Sequence, residues 1–226
     1  MSASVQPLPV LSLRLPQAPG SLPLPEQLPT GRLIEITDGG RAGAQMTLAV
    51  ACLRQAQLLG ETAAWVQPEG GTLYPPDLAD SGIDLDALVI VNVPASRTPS
   101  RPAPTRERQR DGKRGGKQGA GFGLARAAEL LLRSGGFGMV LIDLQGAQLP
   151  PGGAWQGRLL GLAREHAARV ILLGDCGGPL VGLSLSPSRE RIGRGLFSIE
   201  THVRKDKSGL LSPPGAERRR GPWGLL

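Results

Sequence analysis

Residues 31–48 read Gly-Arg-Leu-Ile-Glu-Ile-Thr-Asp-Gly-Gly-Arg-Ala-Gly-Ala-Gln-Met-Thr-Leu, an apolar segment that runs through a glycine-rich turn into a helix start. This order commits the chain to a strand whose C-terminal end opens onto free backbone amides and a helix N-terminus. The same layout binds phosphate when it reads G-x-x-x-x-G-K-[ST]. There the amides cradle phosphate, the lysine reaches the β- and γ-phosphates, and the hydroxyl holds Mg²⁺. Here the window opens at Gly39, but Ala44, Gln45 and Met46 fill the Gly-Lys-Thr positions. A neutral amide replaces the ammonium and a thioether replaces the metal-binding hydroxyl. The stretch keeps the scaffold of a nucleotide site without its chemistry.

Beyond this unit the apolar pattern alternates between two periods. Strands are predicted at 33–36, 62–66, 87–93, 139–143 and 169–174, and helices at 47–59, 73–81, 123–134 and 156–168. The near-continuous apolar runs of the strands fit a parallel sheet covered on both faces. Strands separated by helices on short connections give an α/β fold with a mostly parallel central sheet. Segment 196–205 alternates in period two, as a more exposed antiparallel strand does. Only 3% of residues are aromatic, so the core must be built from aliphatic side chains. Cys52 and Cys176 lie in apolar surroundings and read as buried thiols. His166 and His202 have no Cys or His at ligand spacing, so no metal or cofactor is expected. The first ten residues lack a basic n-region, and no apolar run approaches the ~18 residues of a membrane span. A cytoplasmic protein is the expectation.

Three segments stand apart from this pattern. Residues 1–30 are rich in proline and read as an extended arm, in which 10–15 alternate like one short strand able to pair with another molecule. Residues 94–121 hold Pro, Arg and Gly with no large apolar side chain, and read as a disordered insertion within a core spanning 31–208. Residues 209–226 form a basic tail with a hydrophobic end. The formal charge is +7, and it is concentrated in these basic stretches. Arg97, Arg101, Arg106, Arg108, Arg110, Lys113, Arg114 and Lys117 face only Glu107 and Asp111 in the insertion, and Arg204, Lys205, Lys207, Arg218, Arg219 and Arg220 face Asp206 and Glu217 later. The remainder of the chain is mildly acidic. Basic flexible segments suit sequence-independent phosphate contact rather than groove reading. Trp223, Leu225 and Leu226 at the end of the tail are side chains of the kind that anchor in a partner's groove.

Several pieces in order resemble the ATPase core of the RecA recombinase. They are 31–37 with Gly39; 62–69, Thr-Ala-Ala-Trp-Val-Gln-Pro-Glu; 81–88, Ser-Gly-Ile-Asp-Leu-Asp-Ala-Leu; and 130–143, ending Met-Val-Leu-Ile-Asp. The resemblance covers roughly 29–205 and implies a RecA-like P-loop fold without the recombinase's C-terminal domain. It places Glu69 at the glutamate that orients the attacking water, Asp143 at the Walker B aspartate and Asp175 at the glutamine that senses γ-phosphate. It also puts two DNA-binding loops near 145–156 and 177–193, the second with Arg189 and Arg191 near its end. Lys205 and Lys207 match a segment that reaches a neighbour's ATP.

A short RecA-like chain with a corrupted P-loop and a basic insertion resembles the ImuA family of bacterial mutasome accessory proteins. Residues 31–38 and 203–209 carry that likeness best. It implies a non-catalytic part in SOS-induced translesion synthesis, acting through contacts with ImuB, a DnaE-type error-prone polymerase and RecA, whose filaments it would cap. It also implies association with the nucleoid at damage, and leaves room for self-association. Two alternatives remain open: a weak ATPase using Arg41 in place of lysine, and a nonspecific DNA-binding module using the insertion and tail.

Overall fold

The computed structural model describes residues 24–38, 44–71, 73–94, 119–147, 149–209, 211 and 215–220. Its elements are α1 (Leu24–Gln27), β1 (Arg32–Ile36), α2 (Gln45–Leu58), β2 (Ala63–Pro68), α3 (Pro75–Asp80), β3 (Leu88–Val93), α4 (Gly119–Arg133), β4 (Met139–Asp143), α5 (Ala154–Glu165), β5 (Arg169–Leu173), β6 (Leu183–Gly193), β7 (Leu196–Asp206) and β8 (Glu217–Arg220). Eight strands form one sheet in the order β3-β2-β4-β5-β1-β6-β7-β8. The strands from β3 to β6 pair in parallel, and β7 and β8 add antiparallel. The α/β architecture with a mostly parallel sheet is as expected from the sequence.

The helices divide between the faces according to the direction of travel. From β1 the chain moves to β2 past β5 and β4, and α2 packs with Ile34, Ile36, Trp65 and Leu141 on one face. From β3 to β4 to β5 it returns, and α4 and α5 pack with Leu33, Val66, Ile142 and Leu172 on the other. Right-handed crossovers in opposite directions must lie on opposite faces. The alternation of side chains along each strand then separates two aliphatic cores.

Four expectations need correction. The Pro-rich arm does not stay extended to residue 30, because α1 closes one helical turn and Leu24 and Leu28 enter the core. Arg169 fixes this entry, donating from Nε to the Leu28 carbonyl at 3.0 Å while its Nη1 pairs with Glu61 at 2.6 Å. The region taken as a second loop is largely β6, whose polar outer residues hid a strand that pairs with β7 over its whole length. The tail is not uniformly loose, since β8 pairs Arg219 with Phe197 and Arg218 with Ser198. The helix predicted from 123 begins at Gly119, inside the predicted insertion. In addition, β3 is half-exposed despite its apolar run, because it is the edge of the sheet. The strand expected at 10–15 and residues 95–118 lie outside the described residues.

Trp65 is the largest fully buried side chain, and its indole Nε1 has no hydrogen-bond partner. The ring therefore contributes by volume alone. Trp65→Ala is expected to cost about 3–5 kcal/mol, and Trp65→Phe, which loses no hydrogen bond, less than about 1.5 kcal/mol. Urea unfolding of the two variants checks this; equal losses would contradict it.

Candidate functional site

In open α/β sheets, ligands bind outside the C-terminal ends of strands where neighbouring connections leave in opposite directions. Here that place is the rim formed by β1, β5 and β4. The connection from β1 departs over one face and the connection from β4 over the other, with β5 between them. The rim stays laced past the strand ends. Gly174 N–H donates to the Ile36 carbonyl at 3.0 Å, and Leu144 N–H to the Leu173 carbonyl at 2.9 Å.

Three of the sequence-derived residues meet at this rim. Asp143 ends β4 and is buried; its carboxylate accepts the Gln145 N–H at 3.0 Å. Burial pushes its pKa above the ordinary 3.8, and the Gln145 bond only partly offsets this. Asp175 follows β5 next door and is exposed. Gln45 opens α2 on the far side of the turn from β1, buried, with its Oε1 lacking any partner. Ala44 before it is buried and supplies no side-chain cap, and Met46 packs against the α2-side core. Glu69 follows β2, the strand beyond β4, and points to solvent; its N–H donates to the Val93 carbonyl at 2.8 Å. Gly39 lies outside the described residues, as do Trp223, Leu225, Leu226 and the eight basic side chains of the insertion.

The residue that organises the rim was quoted in the sequence but assigned no role. Glu35 stands among the apolar residues of β1 and is itself buried. Its Oε1 accepts the Gly177 N–H at 2.6 Å, the Cys176 N–H at 2.9 Å and the Cys176 thiol at 3.3 Å, and its Oε2 accepts the Ser184 hydroxyl at 2.6 Å. Burial acts to raise the pKa of this carboxyl. The Ser184, Gly177 and Cys176 donors outweigh it and hold the group below its ordinary 4.5. The Cys176 thiol is pushed far up by burial and the adjacent carboxylate, and burial pushes Cys52 up to about 12. Neither cysteine is a thiolate nucleophile at neutral pH.

The segment that follows β5 is thus pinned from several sides. Gln156 of α5 donates to the Gly177 carbonyl at 3.0 Å. Lys205 Nζ donates to the Gly178 carbonyl at 2.9 Å, and Lys207 Nζ donates to the Pro179 carbonyl. The two lysines expected to face a neighbour's nucleotide instead hold a loop of their own chain. Gly178 has a φ of +103°, and a Cβ there would lie 2.8 Å from the Gln156 amide oxygen, so glycine is required. A signal for Glu35 was present in the sequence, since a carboxylate within Leu-Ile-Glu-Ile needs buried donors. Gln156 carried none.

Chemically, the rim holds Asp143 and Asp175 beside a helix that starts with an uncharged amide, while Glu69 stands outside it. Among the described residues no group of His, Cys, Asp and Glu has metal-binding geometry. An open concavity of about 380 Å³ lies over β7, lined by residues between Glu200 and Leu211, away from this rim. No helix of the described residues is long and apolar enough to cross a membrane. No protein-family model matches the chain, and no curated protein matches it.

Replacing Glu35 by Gln turns an acceptor into a partial donor facing four donors, and should cost about 1.5–3 kcal/mol at pH 7. Because the folded pKa lies below 4.5, this contribution is complete above that pH and fades as pH falls through the folded value. Asp143→Asn should behave in the opposite way. The folded pKa is raised, so the ionised wild type is penalised at neutral pH; the variant should be the more stable there and lose its advantage below pH 3.8. Chemical denaturation from pH 3 to 8 tests both, and parallel profiles for the two variants would refute the assignment.

Proposed function

We propose that this chain is a non-catalytic, RecA-like accessory protein of bacterial SOS-induced translesion synthesis, of the ImuA kind. It works by protein–protein contact with ImuB and a DnaE-type error-prone polymerase, and it caps RecA filaments. Its setting is the cytoplasm, with recruitment to the nucleoid at sites of DNA damage. Two features support a RecA-like core: the glycine-rich segment follows β1 in the sequence, and the order β1-β5-β4 brings Asp143 and Asp175 to the rim where β1 ends.

The observation that carries the loss of catalysis is Gln45. Phosphoryl transfer depends on positioning and on neutralising charge around the γ-phosphate. At the lysine position this chain has a buried amide whose oxygen is unpartnered, with the buried carboxyl of Asp143 and the exposed carboxylate of Asp175 across the rim. An added triphosphate would meet further negative charge. A domain of recombinase shape that cannot bind ATP can occupy one face of a RecA protomer and fail to propagate an ATP-dependent filament.

A nonspecific nucleic-acid reading also has an observation in its favour. Arg189 and Arg191 are exposed on β6, with Arg189 stacked 5.1 Å from the Phe197 ring, and the β8 residues Arg218 and Arg219 lie across β7. Such binding should fall steeply with salt and is compatible with the main reading.

Isothermal titration with ATP·Mg²⁺ should show no binding. Purified protein should retain RecA and ImuB in pull-down, and at substoichiometric amounts should lower RecA strand exchange and RecA ATPase turnover. Unchanged RecA activity would overturn capping. Removal of residues 221–226 should weaken ImuB capture; full retention would dismiss the tail as that contact.

A further inference from the structure

Two surfaces remote from the rim are opposite in charge and similar in apolar content. On α4 the residues Phe122, Arg126, Leu130 and Arg133 follow one another at helical spacing and are all more than half exposed. They form a stripe that is apolar and basic by turns. Its arginines are ordered by Glu129, buried beneath them, which pairs with Arg133 at 2.8 Å, Arg158 of α5 at 3.2 Å and Arg126 at 3.3 Å. Three guanidinium groups share one carboxylate, so positive charge is left over. Each guanidinium also keeps donors that Glu129 does not use.

The second surface lies where α2 ends beside the loop that leads into β3. Gln57 joins the two, donating from Nε2 to the Asp84 carbonyl at 2.7 Å and accepting the Asp84 N–H at 2.9 Å. This places Leu58 and Leu59, 68% and 57% exposed, beside the loop that carries Leu85. Asp80, Asp84 and Asp86 lie along this loop and are exposed, against one exposed arginine, Arg54 of α2, beside Gly82; none of the three is in an ion pair with a described Lys or Arg. Exposed leucines among carboxylates are the counterpart of exposed Phe and Leu among arginines.

We propose that the α4–α5 stripe of one molecule docks on the α2–β3 surface of a second copy of this chain. The contact is heterologous, joining two different faces, so it extends head to tail unless the rotation closes a ring. The apolar residues supply the attraction, and the arginine–aspartate complementarity sets the register. Each patch is only a few side chains wide, which places the association in the weak class that forms at micromolar concentration and weakens with salt. The inference uses surface chemistry alone and does not depend on the function proposed above.

Sedimentation velocity on the full chain over a rising concentration series tests it. The wild type should show mass increasing with concentration, and less so at high salt. Two surface variants, Phe122→Asp with Leu130→Asp, and Leu59→Lys with Leu85→Lys, should each weaken self-association by at least about tenfold, the equivalent of 1.4 kcal/mol. Mixed in equal amounts they should form a one-to-one complex that grows no further, because each retains the face the other lacks. That pairing also shows both variants to be folded. A wild type that stays monomeric, variants that associate as the wild type does, or a mixture that stays monomeric would each overturn the proposal.

Discussion

Glu35 lies on the central strand of an aliphatic sheet, where an ionised carboxylate persists only if donors surround it. Four donors from three residues meet that demand: two backbone amides and a thiol after β5, and a hydroxyl on β6. Much of the rim depends on this arrangement. It ties the ends of β1 and β5 to the start of β6, and it sets the path of the glycine-rich segment that Lys205, Lys207 and Gln156 hold from outside. Removing one partner from such a buried network costs more than a single hydrogen bond contributes, because the remaining donors are left unpaired.

Charge is distributed unevenly between the rim and the rest of the described surface. At the rim, burial raises Asp143 while hydrogen bonding lowers Glu35, so two strands separated by β5 carry carboxyl groups driven in opposite directions. Neither is poised beside a described cation that could receive a phosphate. The ordered cations serve other groups: Arg126, Arg133 and Arg158 surround Glu129, Arg169 holds Glu61, Arg204 donates to the Thr37 hydroxyl just past β1, and Lys205 and Lys207 hold carbonyls of the loop after β5. Positive charge is spent on shape and on outward-facing surface. That distribution fits the proposed action through protein–protein contacts.

The strand–turn–helix order of 31–48, the aliphatic strands and the amphipathic α4 were legible in the sequence because each is written in local periodicity. Asp143 and Asp175 were marked by the resemblance to a RecA core rather than by local pattern, and both lie at strand ends. Other features were hidden. The strand β6 carries Ser, Arg and Glu on its outer side, and only its pairing with β7 reveals it. The tail segment β8 is four residues of charge whose strand conformation comes from its neighbour alone.

The sequence by itself determined the fold class and the absence of a P-loop lysine and hydroxyl, because both depend on which residues occupy short, contiguous windows. Tertiary structure decided what those residues touch. It made Glu35 the keystone of the rim, turned Lys205 and Lys207 toward their own loop, gathered three arginines over Glu129 and joined Gln57 of α2 to Asp84 before β3. Each of these joins residues far apart in the chain or on separate elements, and such meetings are fixed by strand order and helix packing, which no local pattern encodes.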